Sequence, residues 1–170
     1  MKKKKILIKT LVYGFGNDQK HDFGLGKEMV SRLNTWISDN YIFDVDLKTS
    51  LDLSLEEAES LAKYKRIIFV EGSQNSKTCD LKKIKAGRKH KTHSDKSYTP
   101  QDLINECGKK YRSKPQAYHL SIGGTDWSFE EGLSEFASMN LDKAELFLKE
   151  ILRNSVFQKP IFENFKIKSV

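Results

Sequence analysis

Apolar and polar positions along this chain fall into blocks whose period changes in a regular order. Ile6 to Tyr13 is mostly apolar, with β-branched and aromatic residues, which predicts a strand buried on both faces. Gly14-Phe15-Gly16-Asn17 closes it. Gly24 to Asn40 then carries Met29, Val30, Leu33, Trp36 and Ile37 at helical spacing. Tyr41 to Leu47 sets Ile42, Phe43, Val45 and Leu47 against Asp44 and Asp46, the pattern of a second strand exposed on one side. Ser54, with Glu57 three residues on, forms a capping box for a short helix over Leu55, Ala58, Leu61 and Ala62. Arg66 to Gly72 is a third buried strand, ending in the carboxylate of Glu71 and a glycine.

From Ser73 to Thr99 the pattern dissolves into polar and basic residues, apart from a weak alternation around Leu81 and Ile84 that suits an extra edge strand. A stretch of this length without clear structure inside a compact domain is usually functional or mobile. Thr99-Pro100 restarts helix as N-cap and first helical residue, carrying Leu103, Ile104 and Cys107 before Gly108. Gln116 to Ile122 is a fourth strand, closed by Gly123-Gly124. Asn140 opens the last helix, with Leu141, Ala144, Leu146, Phe147, Leu148, Ile151 and Leu152 as its buried stripe. Residues 154–170 have apolar residues without a clean period and read as a docking tail.

Strands alternating with helices predict a single α/β domain, a three-layer α/β/α sandwich around a mostly parallel twisted sheet with right-handed crossovers. In such sheets ligands bind outside the carboxyl ends of the strands, near the point where strand order reverses. That rule places the loop from Gly14 to Gly26, Glu71, and the segment from Gly123 to Ser134 on one rim.

Charge and composition narrow the classes. The 170 residues carry 30 basic and 23 acidic side chains, a net +7 that admits an acidic partner without requiring one. The excess is uneven, with Lys2 to Lys5 forming a basic tail over residues 1–5 and Lys82, Lys83, Lys85, Arg88, Lys89 and Lys91 crowding one stretch. That stretch has no interleaved aromatics, so it reads as a solvated loop rather than a nucleic-acid surface. Cys79 and Cys107 are too few and too irregular for a disulfide framework, which fits a reducing, cytoplasmic compartment. The apolar segment after the lysines is too short for a membrane span.

Two chemistries suit the rim. Gly14-Phe15-Gly16 invites a dinucleotide reading, but Gln19 stands where a third glycine belongs, and the helix begins too late. Turn chemistry is the simpler account of these glycines. Metal coordination wants Asp, Glu and His converging on one point, and the candidates are Asp18, His21 and Asp22 in the first loop, Glu71, and His90 and His93 in the long loop.

The ordered set Gly14-Phe15-Gly16-Asn17, Asp22-x-Gly24-x-Gly26, Ile68-Phe69-Val70-Glu71, Thr92-His93-Ser94 and Tyr98-Thr99-Pro100 resembles the hydrogenase maturation proteases. The resemblance continues through Pro115-Gln116-Ala117-Tyr118 and Ile122-Gly123-Gly124 to Phe129-Glu130-Glu131-Gly132-Leu133-Ser134, so it covers about residues 6 to 153. It implies a phosphorylase/hydrolase-like α/β fold and a peptidase that removes the C-terminal extension of a nickel-iron hydrogenase large-subunit precursor after metal insertion. Nickel would come with the substrate, with zinc or cadmium as surrogate ions. Carried over by position, Glu71 and Asp22 are the expected catalytic acids. Glu71, His93 and Asp22 are the expected metal-facing set, and Gly14, Gly16, Asn17 and Gly24 the expected substrate-binding loop.

The sequence departs from the family pattern at three places: Glu71 stands for an Asp, His93 aligns only with three residues inserted before Thr99-Pro100, and the first loop changes most. The family has two adjacent acids before the loop glycine, and the second faces the metal. Asp22 fills the first position, but Phe23 stands in the second and cannot coordinate a cation. Two readings therefore stay open: a maturation endopeptidase, or a non-catalytic protein of the same fold that binds a metalloenzyme subunit as adaptor or chaperone. Trp127 and Phe129 read as core residues first and as parts of a substrate groove second.

Overall fold

The structure, a computed structural model, describes residues 9–87 and 97–153. The basic tail, the docking tail, His90 and His93 lie outside the described residues. Among the described residues there are five strands: β1 (Thr10–Phe15), β2 (Val45–Ser50), β3 (Arg66–Ser73), β4 (Cys79–Ile84) and β5 (Gln116–Gly123). The helices are α1 (Leu25–Asp39), α2 (Ala58–Leu61), α3 (Pro100–Tyr111) and α4 (Glu135–Arg153). The strands form one sheet in the order β2-β1-β3-β5-β4, with β4 antiparallel to β5 and every other pair parallel.

Alternation along the strands divides the interior into two cores. Val12, Ile68, Val70, Leu120 and Ile122 meet α1 and α4 on one face, whereas Leu11, Tyr13, Ile67, Phe69 and Ala117 meet α2 and α3 on the other. A strand buried on both faces needs an apolar residue at nearly every position, which is why β1 and β3 read as continuous runs. Each such side chain contributes about 1.5–3 kcal/mol on burial. This is the three-layer sandwich expected from the alternation of elements, and the weak pattern around Leu81 and Ile84 is the edge strand β4 rather than loop.

Three boundaries differ from the sequence expectation. Tyr41 adopts a positive φ of 53°, so the chain turns there and Phe43 is left 87% exposed. The second strand consequently begins at Val45 and runs to Ser50, in register with β1 from Thr10 to Phe15. Helix α3 passes through Gly108 and stops at Arg112, whose left-handed φ of 52° lets its N–H reach the Cys107 carbonyl. Helix α4 starts at Glu135 instead of Asn140, because Ser134 supplies the cap. The Ser134 Oγ accepts from the Ala137 N–H at 3.1 Å. Asn140 lies inside the helix, 2% exposed, and donates to the Gly123 carbonyl at 2.9 Å.

The capping box at Ser54 with Glu57 and the N-cap at Thr99 match the expectation, and Asp102 adds a capping box at Thr99 that was not expected. Among the described residues no helix is long and apolar enough to cross a membrane.

Candidate functional site

Strands β2 and β3 flank β1 on opposite sides, so the connections diverge at β1, and a crevice opens beyond the carboxyl ends of β1 and β3. The crevice is a cleft of about 460 Å³. Phe15, Gly16 and Asn17 form one wall with Lys20 and Phe23 from the following loop. Leu51 to Leu53, after β2, and Ser97 to Pro100, at the start of α3, form the others, and Glu71 stands in the cleft. The rim predicted from strand ends alone is thus the place where the fold opens.

Glu71 arrives there because β3 runs three residues past its apolar run into the rim. Phe69 pairs with His119 and Glu71 with Ser121, so Glu71 and His119 sit one step apart on the same face. The His119 Nε2 lies 2.6 Å from the Glu71 Oε1, out of line for a hydrogen bond, so the pair is held by charge when the ring is protonated. Both side chains keep partial exposure, at 25% and 32%. Phe15 lies roughly parallel to the His119 ring, with centroids 6.5 Å apart. His119 was not anticipated from sequence. Its signal was present in Tyr118-His119-Leu120, since one polar residue inside a strand beside β3 falls on the face that carries Glu71.

Asp22 is placed differently from Glu71. It is 0% exposed and does not line the cleft. Its Oδ2 accepts from the N–H groups of Thr125 and Asp126 at 2.7 and 2.8 Å and from the Ser134 hydroxyl at 2.7 Å. Its Oδ1 accepts from the Ser134 N–H at 2.8 Å. Burial pushes its pKa up, but these donors outweigh burial and hold the carboxyl below its usual range. The acid expected at the metal therefore serves to tie the loop after β1 to the loop after β5.

The same two loops meet at other points. His21 donates its N–H to the Glu130 carbonyl at 2.8 Å, and its Nε2 lies 3.3 Å from the Glu130 carboxylate. Phe23 packs edge-on against Trp127 with centroids 4.6 Å apart, and the Lys20 ammonium stands 4.1 Å over the Phe129 ring. Phe129 is 77% exposed, so it is a surface residue, contrary to the core expectation. Asp18 pairs with Lys27 at 2.9 Å, away from Glu71.

The four loop positions expected to bind substrate divide in two. Gly16 and Asn17 line the cleft, whereas Gly14 and Gly24 are buried beneath it. A Cβ on Gly14 would lie 2.0 Å from the Gly26 carbonyl oxygen, so this glycine permits α1 to approach β1. Gly16 has a φ of 131°, and its Cβ position is closed by the Phe23 carbonyl oxygen at 2.1 Å.

The donors among the described residues do not form a closed metal centre. Among the described residues no three His, Cys, Asp or Glu side chains converge on one point. Glu71 and His119 offer two donors in contact with each other, and Phe23 lines the wall where the resemblance called for an acid. Neither cysteine contributes: burial pushes the Cys79 thiol up to about 12 and the Cys107 thiol up to about 11.

Comparison with known proteins places this geometry. No family model matches the chain, and no curated protein matches it. Solved structures do. The [NiFe] hydrogenase maturation protease HycI from Thermococcus kodakarensis superposes with a TM-score of 0.67 at 15% identity, covering 86% of this chain and 94% of that one. The hydrogenase maturating endopeptidase HybD from E. coli gives 0.66 at 15% identity over 87% and 94%. A hydrogenase 2 maturation peptidase from a Thaumarchaeota archaeon gives 0.59 at 16% identity over 85% and 97%. The chain has the fold of these proteases over most of its length, and at such identities the likeness concerns the fold.

Proposed function

We propose that this chain acts on the large-subunit precursor of a nickel-iron hydrogenase, receiving the C-terminal extension in the cleft beside Glu71 and trimming it by hydrolysis in the cytoplasm. The observation that carries the reading is the Glu71 carboxylate, which stands at the tip of β3 in a cleft of about 460 Å³ within a fold shared with peptidases of that class. Nickel would arrive with the substrate. Glu71 is the described carboxylate of the expected set that faces the cleft, and His93 keeps its candidacy from the sequence resemblance.

For the hydrolysis, Glu71 accepts a proton from water as the water oxygen attacks the scissile carbonyl carbon. The C–N bond then breaks, and the proton passes to the leaving amine nitrogen. His119 acts as a positioning residue, since its ring lies against the carboxylate oxygen and limits the orientations open to it. The test is incubation of the full chain with nickel-loaded precursor and mass measurement of the large subunit. Loss of the C-terminal extension supports the reading, and an unchanged mass beside an active maturation protease refutes it.

Phe23 favours a second reading, in which the same segment is bound and not cut. A phenyl ring stands in place of a metal-facing acid, and its partner Trp127 extends the apolar surface. A stable complex with uncut precursor, recovered by gel filtration, would support this adaptor role.

A further inference from the structure

Among the described residues the donors do not form a metal centre, and what the cleft does contain points elsewhere. Phe15, Phe23, Leu51, Leu53, Tyr98 and Pro100 make about half of its wall, polar groups including Lys20, Asp52 and Glu71 make the rest, and its volume of about 460 Å³ is many times the roughly 30 Å³ share of one water. A space of that size suits a polypeptide segment, with a bulky apolar side chain against Phe15 and Phe23 and its backbone among the polar groups. Phe23 is 37% exposed and anchored edge-on by Trp127, so it presents a fixed aromatic surface to whatever enters. Asp22 cannot swing in to replace the missing acid without abandoning four hydrogen bonds.

We infer that Phe23 is a specificity-determining residue of this cleft, and that it makes recognition of the polypeptide segment independent of metal. The segment is held through a bulky apolar side chain packed on Phe23. The inference rests on the partner assignment under the preceding heading, and it adds that the nickel-free precursor is bound as well as the nickel-loaded one.

The experiment uses the full chain, immobilised, with large-subunit precursor prepared in nickel-free and nickel-loaded forms, and reads Kd by interferometry. The expected result is a Kd for the two forms that agrees within about twofold. Phe23→Asp weakens binding of the nickel-free form by about tenfold or more, as expected when one large apolar contact is lost, and Phe23→Leu restores most of it. Circular dichroism of each variant checks that the fold is kept. Binding confined to the nickel-loaded form, or a Phe23→Asp variant that binds the nickel-free form unchanged, overturns the inference while leaving the partner assignment intact. Binding of neither form overturns the partner assignment and the inference with it.

Discussion

Ser134 donates both its N–H and its hydroxyl to Asp22, at 2.8 and 2.7 Å, while its Oγ accepts from the Ala137 N–H at 3.1 Å. One serine thus caps α4 and fastens the loop after β1, across 112 residues of sequence. The junction bears on the wall of the cleft, because Phe23 follows Asp22 directly in the chain.

Asp22→Asn tests the junction. The amide would place an N–H2 group against N–H donors, leaving buried partners unsatisfied, and the expected cost is about 2–4 kcal/mol. For a domain of this size that corresponds to a fall in Tm of roughly 5–15 °C. The pH dependence has a definite sign. The folded pKa of Asp22 is lowered, so its contribution is present above the unfolded value of about 3.9 and is lost as pH falls through the folded value. Urea melts should therefore show a wide gap between wild type and variant at neutral pH that closes in strong acid. A gap independent of pH would show that the charge of Asp22 is not what stabilises the junction.

Tyr13 offers a second, separate test on the α2 side. Its hydroxyl donates to Glu57 at 2.5 Å and lies 2.8 Å from the Ser50 hydroxyl, and the Lys48 ammonium reaches the other Glu57 oxygen at 2.6 Å. Tyr13→Phe should cost about 1–3 kcal/mol, since Glu57 keeps Lys48 but loses a donor. Burial first, and then the Glu57 carboxylate, raise the phenol above its ordinary 10. A raised pKa means that the contribution is present below about pH 10 and is lost as pH rises beyond it. The stability gap between wild type and Tyr13→Phe should narrow in alkali, and a gap that widens there would contradict the assignment.

How much of this could be read from the chain depends on whether the controlling contact is local. The apolar runs of β1 and β3, the capping box at Ser54 and the N-cap at Thr99 are local patterns, and all were legible. The start of α4 was not, because Phe136 and Met139 in its first turns are exposed and blur the stripe, while the cap at Ser134 is tied to a residue far away in sequence. The end of α3 depends on Arg112 taking a left-handed turn, which no residue type announces. At the site, Glu71 was legible from its strand-end position. The structural use of Asp22 required knowing that Thr125, Asp126 and Ser134 approach it, and His119 required the β3-to-β5 register.

The cysteines give a chemical test of the interior. Burial raises the Cys79 and Cys107 thiols to about 12 and about 11, and both side chains are buried and unpaired. The native chain should resist iodoacetamide near pH 8, with both sites labelling only after denaturation, as followed by mass spectrometry. Stoichiometric labelling of the native chain within minutes would mean that one of the two thiols reaches solvent and must be reconsidered as a reactive group.

Glu71 and His119 carry the most direct test of the proposed chemistry. Glu71→Gln keeps the shape of the side chain and its place beside His119, but an amide cannot accept a proton from water. Trimming should therefore fall by about 10²–10⁴-fold, the usual contribution of a positioned base. His119→Asn removes the ring beside Glu71 but leaves the carboxylate itself, so the expected loss is smaller, and should fall on kcat with KM little changed. The two substitutions together should cost about as much as Glu71→Gln alone, because an imidazole that acts through a carboxylate has nothing to act on once the carboxylate is gone. Single-turnover trimming of the nickel-loaded precursor measures all three. Losses that multiply would make His119 an independent catalytic group, and full activity in Glu71→Gln would move the chemistry away from β3 altogether.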